Sequence, residues 1–255
     1  MKIIFNADDF GMSESVNRAI VESFKKEYVS NTTIVVNMPF TEQAVELSKQ
    51  NGFLDRVGLH LNLSVGEPLT ESFAQNPILT DKDGNMSGVC HTELIKRLYI
   101  DQKTFHDVQM EAEAQIQKYL SFQFSQMHCD SHHHMHVSYS IYAAIKPILE
   151  RYGFKSLRLA KYMPSKDRYL RRDLRLYKSL INHSIKKSFQ SHSDVYLAFE
   201  ECMELEDNIL DRWPVIESSC HPIYQNGVLI NKDSIGFSDV KNYLSGKEVI
   251  SYCDL

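Results

Sequence analysis

Residues 2–24, KIIFNADDFGMSESVNRAIVESF, contain a strand, a turn and a helix in succession. The apolar run Lys2–Asn6 predicts a buried strand, and Gly11 permits a tight turn after it. Ser13 is placed to begin a helix. Apolar residues then recur at helical spacing: Val16, Ala19, Ile20 and Phe24. The stretch therefore predicts one β-strand followed by one α-helix, the repeating unit of an α/β fold.

The same alternation continues along the chain. Further strands are predicted at Asn31–Asn37, Arg56–Leu63, Phe124–Asp130, Ser156–Ala160, Asp194–Ala198, Pro214–Ser219 and the terminal VISYC, residues 249–253. Helices are predicted at Thr41–Gln50, Phe105–Leu120, Ser138–Tyr152, Tyr169–Lys187 and Glu201–Asp211, with a kink expected at Pro147. Residues 64–88 predict a long loop. The pattern favours parallel strands in a (β/α) barrel or a doubly wound sheet, and without a linker we expect one domain over residues 1–255.

Composition narrows the class of protein. The 255 residues are 43% hydrophobic and 24% charged, with a net charge of −5, so no general basic surface for nucleic acid or an anionic membrane is expected. The basic stretch at residues 166–175 is interrupted by acids and predicts a solvated helix face. No apolar run reaches the ~18 residues of a membrane span, and no signal peptide is recognisable. Five scattered cysteines favour reduced thiols, so we expect a cytoplasmic protein.

Polar residues follow several of the predicted strands. Asp8 and Asp9 come after the first strand, and His60 lies late in VGLHLNL. The run DSHHHMH, residues 130–136, follows another strand, and His221 follows VIESSC. In a (β/α) barrel the carboxyl ends of the strands converge, so these separate clusters can form one site.

Histidine is the feature that suggests a metal ion. His60 alternates with leucines along its strand and so faces either solvent or the interior of the barrel. The run at 130–136 holds four histidines, of which His132 is nearest the strand end, and Asp130 is placed to orient an imidazole. The plainer alternatives to metal binding are that His60 is a single structural histidine and that residues 130–136 form a polar loop.

The adjacent carboxylates of Asp8 and Asp9 complete the constellation. Two buried carboxylates need a cation, although either aspartate could instead cap the first helix. One carboxylate can bind a metal ion together with two imidazoles while its neighbour serves as a base. Three protein ligands leave room for water and substrate, and such an ion polarises a carbonyl and lowers the pKa of water. His221 could then protonate a departing amine.

These residues resemble the YdjC-like carbohydrate deacetylase family, which includes chitooligosaccharide deacetylases. The resemblance rests on NADDFG, GLHLNL and DSHHHMH in this order, supported by SLRLAKY, ESSCHPIY and ISYCDL. It implies a distorted (β/α) barrel with mostly parallel strands, related to other polysaccharide deacetylases, and hydrolysis of the acetamido group of an N-acetylated sugar. The implied metal ligands are Asp9, His60 and His132, with Asp8 as base and His221 as acid. Arg158 is implied to lie near the site.

Several points stay open at the level of sequence. The ion is Mg or Zn by resemblance, and the donor set also accepts Mn or Co. A metal-dependent sugar isomerase or epimerase on the same barrel would need a second base, for which Glu217 is the one candidate. The third hypothesis is that the protein is a carbohydrate-binding relative without catalytic activity. The expected partner is a small N-acetylated sugar, with a homodimer as the commonest assembly.

Overall fold

A computed structural model describes residues 1–161, 172–232, 236–237 and 240–255. Its strands are β1 (Lys2–Phe10), β2 (Asn31–Ile34), β3 (Val57–Leu61), β4 (His128–Ser131), β5 (Ser156–Leu157), β6 (Val195–Ala198), β7 (Val215–Cys220), β8 (Pro222–Gln225), β9 (Val228–Asn231) and β10 (Glu248–Val249). Its α-helices are α1 (Glu14–Lys25), α2 (Thr41–Gln50), α3 (Glu71–Ala74), α4 (Val89–Thr92), α5 (Leu94–Leu98), α6 (Gln102–Ser121), α7 (Tyr139–Arg151), α8 (Arg172–Ser188), α9 (Phe199–Glu204), α10 (Asp207–Leu210) and α11 (Val240–Leu244).

Parallel strands form one curled sheet, a half-barrel, in the order β5, β4, β3, β2, β1, β7, β6. The short β10 adds to β1 beside Lys2 and Ile3, before β2 begins to pair at Asn6. The α/β barrel expected from the sequence is therefore confirmed as a single-domain fold with an open, curled sheet. Parallel strands direct all their carboxyl ends to one edge, and this edge carries the site.

Helices cover the outside of the sheet with their apolar faces. In α1 the Ser13 side chain accepts a hydrogen bond from the backbone N–H of Val16, so the predicted start is confirmed. In α7 the helix continues through Pro147 to Arg151 as one element. None of the helices in the described part of the chain is long and apolar enough to cross a membrane.

The first strand is longer than its prediction, and the reason matters for the site. β1 continues through both aspartates to Phe10, and its register against β2 shifts between Ala7 and Phe10. Asp9 lies in the left-handed region with φ 72°. Such an irregularity changes the direction of neighbouring side chains within a strand, at a cost in backbone strain. The aspartates are thus part of the strand rather than of the turn after it.

Other boundaries also differ from the predictions. The strands predicted at 31–37, 56–63 and 156–160 end earlier, at Ile34, Leu61 and Leu157, and the strand predicted at 124–130 begins only at His128 and ends at Ser131. At these ends the regular pairing with the neighbouring strand stops. The terminal VISYC contributes only Val249 to a strand and then forms a 3-10 turn at Tyr252–Asp254. Residues 201–211 fall in two short helices instead of one. The hairpin β8–β9, the helices α4 and α5, and α3 inside the long loop were not predicted. The basic stretch 166–175 and the predicted helix start at 169 lie largely outside the described residues.

Candidate metal centre

The irregularity in β1 separates two neighbouring carboxylates into different surroundings. Asp8 is 1% exposed and its carboxylate contacts the guanidinium of Arg158. Asp9, at the strained position, lies instead beside two imidazoles, those of His60 and His132. Adjacent residues of the same type therefore have two distinct environments, which allows them two distinct roles.

Asp9, His60 and His132 come together from three parts of the chain. Their candidate ligand atoms all lie within 4.8 Å of one another. The Asp9 Oδ1 atom is 2.8 Å from Nδ1 of His132 and 3.2 Å from Nε2 of His60. His132 and Asp9 keep some exposure, whereas the His60 side chain is buried. The group is thus open to solvent on one side and closed on the other.

The orientation of His60 is set by the neighbouring strand. The register of β3 against β4 places His60 beside Asp130, and Nδ1 of His60 is 2.6 Å from Oδ1 of Asp130. The Thr33 hydroxyl donates a hydrogen bond to the other oxygen of Asp130 at 3.0 Å. With Nδ1 engaged by a carboxylate, the lone pair of a neutral imidazole is on Nε2, which points to Asp9.

The Nε2 atom of His60 is a buried polar atom that makes no hydrogen bond of normal geometry to the described residues. Its 3.2 Å approach to Asp9 lacks the alignment of such a bond. Burial alone would lower the pKa of His60, but Asp130, Asp9 and Asp8 outweigh it and raise that pKa to about 10. In the metal-free protein the His60 ring therefore carries a second proton, and its positive charge lies where a metal cation would be stabilised.

A second possible group, Asp8 with His60 and Asp130, overlaps the first through His60. Asp8 and Asp130 both form salt bridges to Arg158, and Asp130 also holds Nδ1 of His60. Their oxygen atoms are thus already engaged by protein donors. The group containing Asp9 and His132 has freer donor atoms and is the better candidate for an ion.

Arg158 is a fully buried cation at the centre of the site. Its guanidinium contacts Asp8 through two hydrogen bonds of 2.7 and 2.8 Å, Asp130 at 2.6 Å, and Glu217 through Nε. It also lies 4.8 Å from the centre of the Tyr196 ring. Burial would raise the pKa of Asp8, yet Arg158 lowers it far below the ordinary value of 3.8. The arrangement therefore favours the ionised form of Asp8.

His221 approaches from the other side of the site. It is the residue between β7 and β8, and its Nε2 lies 3.9 Å from Oδ2 of Asp8. Its side chain is 33% exposed, in contrast to the 2% of Asp8. The imidazole thus faces a carboxylate on one side and the open mouth of the site on the other.

The remaining histidines of the 130–136 run point in different directions. His136 is buried and links two strand ends, with Nδ1 2.6 Å from the Ser131 hydroxyl and Nε2 3.1 Å from the backbone oxygen of Arg158. His133 and His134 both lie in the left-handed region, with φ of 54° and 52°. Two such residues in succession are uncommon, and they turn the chain so that only His132 faces Asp9.

His133 lies at the rim of the site. Its ring stacks on that of His91 with centroids 5.1 Å apart, and its Nδ1 is 3.2 Å from the Ser64 hydroxyl. Desolvation of the part of the ring that packs against its neighbours lowers the pKa of His133 to about 4, with help from nearby His132. Both His91 and His133 are exposed, so this pair forms a neutral aromatic edge beside the metal group.

The structure brings every residue singled out in the sequence into one region: Asp8, Asp9, His60, Asp130, His132, Arg158 and His221. It adds Asn6 and Thr33, which sequence reasoning did not include, and it gives Glu217, the candidate second base of the isomerase alternative, a different partner. Glu217 balances Arg158, and Asn6 and Thr33 donate to Asp8 and Asp130. Asn6 and Thr33 look like ordinary strand residues in the sequence, because a polar residue on a barrel interior face has no local signal. Glu217 was considered only as a second base for isomerisation and not as a partner of Arg158.

The charges of the site suit a divalent cation. Three carboxylates, those of Asp8, Asp130 and Glu217, contact the permanent cation Arg158, and a fourth, that of Asp9, lies beside His60 and His132. Uncompensated buried charge costs several kcal/mol per group, so a further cation stabilises the arrangement. Two imidazoles and one carboxylate are a donor set that Zn and similar ions accept. The residues present therefore fit a metal ion, whose identity they do not fix.

Known proteins resemble this chain over its full length. A carbohydrate deacetylase of Clostridium beijerinckii is 30% identical over 254 residues, covering 99% of this chain and 94% of the relative. One of Vibrio parahaemolyticus is 33% identical over 236 residues, covering 91% and 82%. A crystal structure from Enterococcus faecalis, described as a cellobiose-phosphate cleavage protein, matches with a TM-score of 0.72 at 23% identity, covering 99% of this chain and 98% of that one, which supports the fold. The YdjC-like protein family matches residues 2–249, and the chain belongs to this family.

Proposed function

We propose that this protein is a metal-dependent carbohydrate deacetylase, which hydrolyses the acetamido group of an N-acetylated sugar and releases acetate. The observation that carries the proposal is the convergence of Asp9, His60 and His132 beside the Asp8–Arg158 pair. The names of the relatives support the same chemistry. The residues would act together as one catalytic domain over 1–255.

Asp9, His60 and His132 would hold one divalent ion, Mg or Zn by family resemblance, with Mn or Co as alternatives. Bound there, such an ion would polarise the acetamido carbonyl and make a water molecule more acidic. Asp130 keeps the His60 ring turned so that Nε2 faces the group. His132 and Asp9 leave the solvent side open, which gives a substrate access.

Asp8 is proposed as the general base. Its Oδ1 atom accepts hydrogen bonds from both Asn6 and Arg158, whereas Oδ2 accepts one from Arg158 and lies nearest His221. Oδ2 therefore has capacity to take the proton of the attacking water. Arg158 fixes the plane of the carboxylate through two hydrogen bonds, so that the accepting atom is already in position before substrate arrives.

His221 is proposed as the general acid. Its Nε2 is 3.9 Å from Asp8 Oδ2, so the proposed proton donor and proton acceptor lie next to each other in the site. A tetrahedral adduct bound over this pair could lose its amine once Nε2 has protonated the nitrogen. A positioned acid of this kind typically contributes ~10²–10⁴-fold to a rate.

The substrate is proposed to be a chito-oligosaccharide or a similar N-acetylated sugar. The support comes from the family resemblance and from the relatives named carbohydrate deacetylase. The exposed pair His91 and His133 gives the mouth of the site an aromatic edge against which a second sugar ring could lie. A homodimer in the cytoplasm is the proposed state of the protein.

The alternative of a sugar isomerase would need Glu217 as its base, and the surroundings of Glu217 do not favour that role. Glu217 is 1% exposed and its carboxylate is engaged by Nε of Arg158. A base for isomerisation has to reach a carbon-bound proton of the sugar. Glu217 contacts Arg158 through one oxygen and Ser193 through the other, whereas Asp8, which is equally buried, has Oδ2 3.9 Å from the partly exposed His221 and is the chain neighbour of Asp9.

Acetate release tests the proposal directly. Protein loaded with Zn, Mn, Co or Mg would be incubated with diacetylchitobiose and with N-acetylglucosamine, and free acetate measured by an enzyme-coupled assay. We expect acetate at a rate that falls to background after chelation and returns when the metal is restored. Conversion of the sugar without acetate would favour isomerisation, and no acetate from any N-acetylated sugar would contradict the proposal.

A further inference from the structure

His221 leaves the sheet at a point where the strand ladder no longer fixes it. β7 ends at Cys220 and the hairpin strand β8 begins at Pro222, so His221 is the single residue between them. Among the described residues its imidazole has one ionic neighbour, Asp8 at 3.9 Å. Something other than the imidazole's own contacts must therefore set the direction of this side chain.

The backbone of His221 is held by the far strand of the hairpin. Its N–H donates a 2.7 Å hydrogen bond to Oδ1 of Asn231, and its carbonyl accepts a 2.9 Å bond from the N–H of Lys232. Asn231 closes β9 and pairs in register with Pro222. Both polar backbone groups of His221 are thus fixed by residues ten and eleven positions later in the chain.

The Asn231 amide is itself held in one orientation. It is 1% exposed, and its Nδ2 donates to Oε1 of Glu200, which lies in the first turn of α9 directly after β6. Because the Glu200 carboxylate can only accept and the His221 N–H can only donate, the amide cannot flip without losing both bonds. The hairpin is thereby tied to the sheet through Glu200.

We propose that Asn231 is a positioning residue that aims the His221 imidazole at the reacting nitrogen, with Glu200 orienting Asn231. The proposal rests on the proposed role of His221 as the general acid. Asn231 makes no contact with substrate in this scheme and acts only through the backbone of His221. Its loss should therefore impair proton donation to the amine more than any other part of the reaction.

A pair of substrates isolates this step. Diacetylchitobiose has an amine leaving group that needs a proton, whereas p-nitrophenyl acetate releases a phenolate that does not. In Asn231→Ala we expect kcat/KM for the amide to fall roughly 10- to 100-fold further than for the ester, because small displacements of an oriented group cost rates of that order. His221→Ala should show the same preference more strongly, and Glu200→Ala the same preference more weakly.

Asn76 provides a matched control. It is 2% exposed, its Oδ1 accepts from the backbone N–H of Ile78 at 2.9 Å, and its Nδ2 donates to Asp107 at 2.7 Å. Asn76→Ala thus removes the same kind of buried amide from a loop that does not hold His221. It should lower stability while leaving the amide-to-ester ratio of the parent unchanged.

Spectra of ¹⁵N-histidine-labelled protein separate this inference from the proposed function. If the parent releases no acetate, the proposed function fails, yet the His221 imidazole resonances should still shift in Asn231→Ala and Glu200→Ala and stay unchanged in Asn76→Ala. Should Asn231→Ala fail to fold, Glu200→Ala decides the question. Equal losses on both substrates, or His221 resonances unmoved in the Asn231 and Glu200 variants, would overturn the inference.

Discussion

The two sides of the candidate site are constructed differently. On the side formed by β1, β3, β4 and β5, Asp8, Asp130 and Arg158 are almost completely buried and joined by short hydrogen bonds. On the side that follows β7, His221 is one-third exposed and is held through its backbone. The buried side is a fixed array of charges, and the exposed side presents a single titratable group at the mouth.

This difference follows from what each side is proposed to do. The electrostatic interactions of fixed charges are strongest where water is excluded. Burial requires that each charge have a partner, which explains the three carboxylates around Arg158. A group that gives up a proton and takes another from solvent in each cycle benefits from exposure. The predictions below test whether the two sides depend on burial as this account requires.

Arg158→Leu should have the largest effect on stability. It would leave Asp8, Asp130 and Glu217 buried without their cation, and breaking a buried ion pair costs about 3–5 kcal/mol. Arg18→Leu is the control, since Arg18 pairs with Glu14 on the exposed face of α1 and should cost less than ~1 kcal/mol. Urea unfolding of both variants gives the comparison, and equal losses would contradict the role assigned to burial.

Asp8→Asn should abolish turnover without releasing the metal. The amide keeps the shape of the carboxylate but cannot accept the proton, so kcat should fall ~10²–10⁴-fold. Asp9→Asn is the neighbouring control, because it should reduce metal content as well as rate. Acetate release and elemental analysis on the same samples distinguish the two aspartates, and an Asp8→Asn enzyme as fast as the parent would show that Asp8 is not the base.

The stability of the metal-free protein should decline in alkali. The pKa of His60 is raised from 6.5 to about 10, so its charge stabilises the folded state fully below pH 6.5 and this contribution is lost as the pH rises towards 10. A metal ion at Nε2 would replace that proton and remove the dependence. Thermal unfolding at pH 6.5, 8 and 9.5, with chelator and with metal, should give curves that diverge with pH, whereas parallel curves would refute the placement of the ion at His60.

Replacing His136 or His133, two neighbours of His132 in the chain, should lower the free energy of unfolding by smaller and unequal amounts. His136→Ala removes two buried hydrogen bonds that link β4 to the backbone of Arg158 and should cost about 1–3 kcal/mol. His133→Ala changes an exposed ring and should stay within ~0.5 kcal/mol. Denaturant unfolding measures both, and a more damaging His133 variant would show that the rim, rather than the strand end, stabilises this turn.

The sequence predicted the strand-helix alternation and the residues of the site because both have local signatures. Apolar periodicity marks β1, α1 and α6, and adjacent carboxylates or clustered histidines stand out in the composition of a strand end. The identity of the residues around Arg158 could not be predicted in the same way. Glu217 lies 59 positions from Arg158, and only the curling of the sheet brings them together.

Backbone irregularities were also beyond sequence reasoning. Asp9 adopts a φ of 72° that favours glycine, and nothing in NADDFG shows which of its residues carries the strain. The hairpin β8–β9 was missed although Asn226 and Gly227, a pair typical of tight hairpin turns, stand between its strands with positive φ at both residues. These two features direct Asp9 and His221 into the site, and of the two only the strain at Asp9 has no local signal in the sequence.

The metal content of the purified protein shows whether the group of Asp9, His60 and His132 binds an ion. After loading with Zn and removal of excess ion, elemental analysis should give about one ion per chain in the parent and in Asp8→Asn. His60→Ala and His132→Ala, folded by circular dichroism, should retain little. A parent that binds no ion, or histidine variants that bind as much as the parent, would contradict the account.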